Sequence, residues 1–106
     1  MKKIPMTEIR QAYERDNPGG HWFSSDTMRF FRTVLPQYGW LAYGSYWFVT
    51  SEVNPSGKKA FSVRRLSRGN VQTVGEFHSF ARSHDATKRL KEEIREVARL
   101  EVGQGG

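Results

Sequence analysis

Two turn signals divide the middle of the chain, and the residues around them leave little choice of fold. Asn54-Pro55-Ser56-Gly57 and Arg68-Gly69-Asn70 are runs that reverse a backbone, because Asn and Gly tolerate positive φ and Pro presets the first turn position. From Tyr38 to Val53, the residues Tyr43, Tyr46, Trp47, Phe48, Val49, Thr50 and Val53 suit a pleated surface and read as a first long strand. Phe61 and Val63 then alternate with Ser62 and Arg64 in a second. In a third, Val71, Thr73, Gly75 and Phe77 fall on one side and Gln72, Val74, Glu76 and His78 on the other. Strands joined by tight turns pair antiparallel, so this stretch is expected to form a three-stranded meander.

Helical spacing flanks the meander. Pro5 and Thr7 can open a short helix with Met6, Ile9 and Tyr13 on one side, ended by Asp16-Asn17-Pro18-Gly19-Gly20. Ser24 or Ser25 can cap a second, with Asp26 in its first turn, an apolar stripe of Met28, Phe31, Val34 and Leu35, and Pro36 closing it. Ser83 or Asp85 can cap a last helix, in which Ala86, Leu90, Ile94 and Val97 form a narrow stripe among charged residues. Gly103 is expected to stop it. The expected fold is therefore α+β: two N-terminal helices, a three-stranded antiparallel β-meander and a C-terminal amphipathic helix packed on the sheet, in the order α-α-β-β-β-α. The 106 residues suffice for one core. They read as a single domain, with an N-terminal helix and turn in 1–20, an α-β-β-β-α core in 21–100 and a flexible tail in 101–106. Phe31, Val34, Phe48, Phe61, Val63, Leu90 and Ile94 are the expected common core.

The chain contains no cysteine, so disulfides, thiolate nucleophiles and cysteine-held zinc are excluded, and a cytoplasmic setting is expected. Lys2 and Lys3 precede no apolar run, and no stretch approaches the ~20 apolar residues of a membrane helix. No membrane partner is expected. His21, His78 and His84, with Asp26, Glu76 and Asp85 as proton-transfer partners, are the residues suited to acid–base chemistry, such as that of a small metal-independent nuclease. They form no recognisable pair, and no phosphate-binding glycine loop, metal carboxylate set or nucleophile elbow appears. The reading is a non-enzyme with no cofactor and no metal.

Binding is the better expectation. The net charge is +6 and the isoelectric point about 10.0. Residues 1–57 hold six Lys or Arg against five Asp or Glu, and 58–106 hold eleven against six, so the excess lies in the second half and favours an anionic partner. Ten of the fourteen aromatics fall within 22–48, more than one small core needs, which points to rings on the surface as well as in the core. Two groups of binding residues follow: the rings Trp40, Tyr43 and Tyr46 near Gly39 and Gly44, and the cations Lys58, Lys59, Arg64, Arg65, Arg68, Lys88, Arg89 and Lys91. A protein, a ribonucleoprotein complex or a nucleic acid is the expected partner.

Two resemblances sharpen this. The order helix, meander, helix over residues 24–100 resembles the double-stranded-RNA-binding domain, which implies that Lys88, Arg89 and Lys91 cross a groove of the duplex. The segments His21-Trp22-Phe23-Ser24-Ser25-Asp26-Thr27-Met28-Arg29-Phe30-Phe31 and Tyr46-Trp47-Phe48-Val49-Thr50-Ser51-Glu52, followed by an Arg-rich hairpin, resemble a family of short uncharacterised proteins of bacteriophages and mobile elements. In that setting small proteins without catalytic motifs are often anti-CRISPR-like inhibitors. The resemblance implies a phage protein that occupies a functional surface of a bacterial CRISPR effector complex.

Overall fold

The computed structural model describes residues 1–19 and 32–104, with side chains described through residue 100. Along them run β1 (Lys2–Pro5), α1 (Met6–Asp16), β2 (Arg32–Val34), β3 (Tyr38–Ala42), β4 (Ser45–Val53), β5 (Lys59–Ser67), β6 (Asn70–Val74) and α2 (Ser83–Gln104). The strands form one antiparallel sheet in the order β1-β3-β4-β5-β6, and β2 continues the line of β3 by pairing with the other end of β4.

This corrects the expected α-α-β-β-β-α order: two helices and six strands are described, not three helices and a three-stranded meander. Lys2–Pro5, whose last residue is expected to open the first helix, is an edge strand with Ile4 opposite Gly39. The end of the expected second helix is a strand too, with Thr33 opposite Glu52. Thr33 and Val34 are β-branched, and a residue preceding proline, as Leu35 is, resists helical ψ. The Ser24, Ser25, Asp26, Met28 and Phe31 part of that expectation lies outside the described residues. The long first strand is two, since sixteen residues exceed the usual strand. Tyr43 (φ 50°) and Gly44 (φ 73°) reverse the chain between them, the pair of positive φ values that a two-residue hairpin demands. Arg68 (φ 51°) and Gly69 (φ 79°) repeat the device between β5 and β6. The third strand stops at Val74, because Gly75 turns away at φ 78°.

Helix α1 forms as its spacing predicts, burying Met6, Ile9 and Tyr13. The Met6 amide donates to the Gln37 carbonyl at 2.9 Å. At its other end the Asn17 side-chain amide donates to the carbonyls of Tyr13 and Gly69 at 3.2 and 2.8 Å, fastening the helix to the β5–β6 turn. Helix α2 buries Ala86, Leu90 and Ile94 and runs past Gly103 to Gln104.

The expected single core is two. On one face of the sheet, Phe48 and Leu66 meet Ile4, Met6, Ile9 and Tyr13 of the N-terminal segment. On the other, Ala42, Trp47, Val49 and Val63 meet Ala86, Leu90 and Ile94 of α2. Phe48 and Leu90 therefore sit on opposite faces, Phe61 is only partly buried, and Val34 is 44% exposed. Gly39 allows the first face to close, since a Cβ there would stand 2.5 Å from the Trp47 carbonyl oxygen and 2.6 Å from Ile9 Cδ1.

Candidate functional site

Side chains alternate across a strand, and pairing fixes which of them share a face. Trp40 lies opposite Trp47, so Trp40 and Tyr38 of β3 project on the α2 side of the sheet. Helix α2 packs on β4 and β5, leaving a groove of about 330 Å³ between itself and the β2–β3 edge. Val34, Tyr38, Trp40, Val49 and Phe61 supply rings and apolar surface, and Thr87 supplies the helix wall. Tyr38 is 47% exposed.

Cations rim these rings. Lys3 Nζ stands 3.9 Å from the Tyr38 ring centre, Lys91 Nζ 5.8 Å from Trp40 and Lys59 Nζ 5.3 Å from Phe61. An ammonium within about 6 Å of a ring face is attracted by its quadrupole. At 100° per residue, Thr87, Lys91 and Arg95 follow one another along the helix flank beside Trp40, joined by His84. That flank carries no carboxylate. The opposite flank carries Asp85, Glu92, Glu93 and Glu96 with Arg89, which lies 2.8 Å from Glu93 and 4.0 Å from Glu92. It borders a second cleft of about 440 Å³ against Glu76 and Phe80, with Lys88 at its rim.

The eleven expected binding residues thus do not form one surface. Trp40, Lys91 and Lys59 belong to the groove. Tyr43, 50% exposed, and Arg68 occupy the two hairpin turns. Arg65 lies 4.6 Å from the Trp47 ring and donates to Ser45 Oγ at 3.0 Å. Lys58 is exposed in the β4–β5 connection, and its amide donates to Asn54 Oδ1. Lys88 and Arg89 point toward the acidic flank, away from Lys91. Tyr46 packs on the α1 face. The groove also brings in Tyr38 and, at its ring, Lys3, neither of them singled out in the sequence; the i+2 step from Tyr38 to Trp40 is the signal that carries the first.

Arg64, expected at the surface, is 4% exposed and sits on the α1 face of the sheet in a buried polar cluster. Glu52, wholly buried, accepts from Arg64 Nη2 at 2.6 Å, from Thr50 Oγ1 at 2.6 Å and from Ser62 Oγ at 3.3 Å. Arg64 also donates to Thr50 and Thr73. The arrangement follows from alternation, because hairpin pairing places Thr50 opposite Ser62 and Glu52 opposite Ala60 on this face. The His78 amide donates to Ser62 Oγ at 2.9 Å, and His78 Nε2 stands 3.6 Å from Glu52 Oε2. Burial lowers the His78 pKa from its ordinary 6.5; Glu52 opposes this and Arg64 adds to it. The carboxylate facing His78 is therefore Glu52, and neither Glu76 nor Asp85. A carboxylate sealed from solvent cannot reach a substrate, so the cluster orients and pins the strands. His84 and Asp85 lie on different flanks of α2, and His21 and Asp26 fall outside the described residues. Among the described residues, no three His, Asp or Glu side chains come together as a metal site, and no helix is long and apolar enough to cross a membrane.

Residues 5–91 match the model of a family described as Family of unknown function (DUF7447), and the chain belongs to that family. Among curated proteins and solved structures, nothing matches it.

Proposed function

We propose that this DUF7447 member is a non-catalytic binding protein whose working surface is the groove between the β2–β3 edge and α2, and whose partner is a macromolecule bearing negative charge. The observation that supports this best is the one-sided charge of α2 above the rings of β3. A basic helix flank alone is ordinary solvated surface, and buried rings alone are ordinary packing. Here Lys91 and Lys3 stand against Trp40 and Tyr38 in a concave, partly open site, the combination of ring and cation from which binding hot spots are drawn.

The double-stranded-RNA-binding arrangement is set aside, since the sheet has six strands and Arg89 faces away from Lys91 and is paired to carboxylates. The more specific expectation, a phage inhibitor of a bacterial CRISPR effector, rests on the resemblance of residues 21–31 and 46–52 and draws nothing from the groove. It has its own test: purified protein is added to an effector cleaving target DNA, and unchanged cleavage ends it.

The groove itself is tested by the double exchange Lys91→Glu and Arg95→Glu. Both positions leave the core, so the thermal midpoint should stay within a few degrees. Co-purification of the partner with tagged protein from bacterial lysate should be lost. A variant that still retains the partner places the binding surface elsewhere.

A further inference from the structure

We infer that the groove takes single-stranded nucleic acid, with bases stacked on Tyr38 and Trp40 and phosphates held by Lys3, Lys91, Arg95 and Lys59. The inference rests on the groove being the binding surface and names the partner class.

Charge complementarity is the first argument. The helix wall beside Trp40 offers Lys91 and Arg95, the neighbouring carboxylate Glu92 lining the cleft of the other flank 4.0 Å from Arg89, and the sheet wall offers Lys3 over Tyr38. A chain of phosphates meets attraction on both sides of the groove and repulsion on neither. The far flank, with four carboxylates, would repel the same chain. An acidic peptide satisfies this argument equally well, so charge does not choose between them.

The rings choose. Tyr38 and Trp40 stand two residues apart on one face of one strand, about 7 Å along it. Each has a cation at its ring. Successive bases stacking on aromatic side chains while the backbone tracks nearby cations is the way single strands are held without sequence preference. A carboxylate is repelled by the negative face of these rings, and a duplex keeps its bases stacked on each other.

Of the eight cations singled out in the sequence, Lys91 and Lys59 stand at rings of the groove, whereas Arg64 is buried and Arg89 is paired to carboxylates.

The test is fluorescence anisotropy of the full chain with labelled oligothymidylate and oligouridylate, a duplex of equal length, and heparin as a polyanion without bases. The expected result is tighter binding of the single strands than of either control. Four phosphate contacts to a single strand give a slope of log K against log salt of about −3. Tyr38→Ala should weaken single-strand binding about tenfold, and Tyr38→Phe should leave it unchanged. Lys91→Glu with Arg95→Glu should flatten the salt slope by roughly half, while Arg15→Glu, exposed on α1 across the sheet from the groove, should not. Circular dichroism shows whether each variant is folded; should the charge exchange unfold the chain, the Tyr38 pair decides alone. Heparin or duplex binding as tight as that of the single strands overturns the inference, as does single-strand binding indifferent to Tyr38→Ala. Absence of binding to any of them at low salt also overturns it. In each case the broader reading stands or falls separately, on whether the Lys91 and Arg95 exchange releases the partner from lysate.

Discussion

Glu52 shows how much one side chain can hold in place. It is wholly buried and meets Arg64, Thr50 and Ser62 across β4 and β5. Removing one member of a buried ion pair leaves the other charge without compensation, so Glu52→Ala should cost about 3–5 kcal/mol in chemical denaturation. Replacing Glu52 and Arg64 together by leucine should recover most of that loss, and failure to recover would mean that the Thr50, Ser62 and Thr73 hydroxyls, left without these partners, carry the cost. His78 gives the same cluster a pH dependence. Its folded pKa lies below its unfolded 6.5, so between those two values the unfolded chain binds more protons. This contribution is complete above pH 6.5 and is lost as pH falls through that window. The midpoint of thermal unfolding should drop on acidification from pH 7 toward 5, and His78→Gln should flatten that part of the curve. None of this cluster was legible as such. Arg64 was read as a surface cation because most arginines are, and only the alternation of Thr50 with Glu52 against Ser62 with Arg64 in paired strands marks them as one group.

At the scale of elements, local signals were read well where they depend on spacing alone. The stripe Met6, Ile9, Tyr13 and the stripe Ala86, Leu90, Ile94 both give the helices they imply. The turn at Arg68-Gly69 falls where it was expected. What spacing could not supply was pairing at a distance. Lys2–Pro5 and Arg32–Val34 are too short to carry a period and become strands only because β3 and β4 lie beside them. Tyr43 concealed the first hairpin, since an aromatic residue rarely takes the αL conformation that the turn imposes. That conformation costs a residue with a Cβ about 1–2 kcal/mol. Tyr43→Gly should accordingly raise stability by about 1 kcal/mol, read from the denaturation midpoint. A fall instead would assign the half-exposed ring a packing role that outweighs the strain.

For the molecule as a whole, the sheet is a partition with α1 on one side and α2 on the other. Each helix buries one apolar stripe against a different face, so losses on the two sides should be independent. Ile9→Ala and Leu90→Ala should each cost about 2–5 kcal/mol, and the double variant should show their sum within about 0.5 kcal/mol, since the sites share no partners. A clearly smaller sum would show that the faces communicate through the strands. The candidate groove belongs to this scale as well. Trp40 and Lys91 stand out in the sequence by their types, but their meeting is set by how far α2 covers the sheet, and no short stretch of sequence contains that. The two flanks of α2 then have a kinetic consequence. With cations along one and carboxylates along the other, the helix is polarised across its width, and a polyanion diffusing toward it is turned before contact. Encounters should arrive groove-first, so that salt slows the rate of association while the rings decide how long the complex lasts.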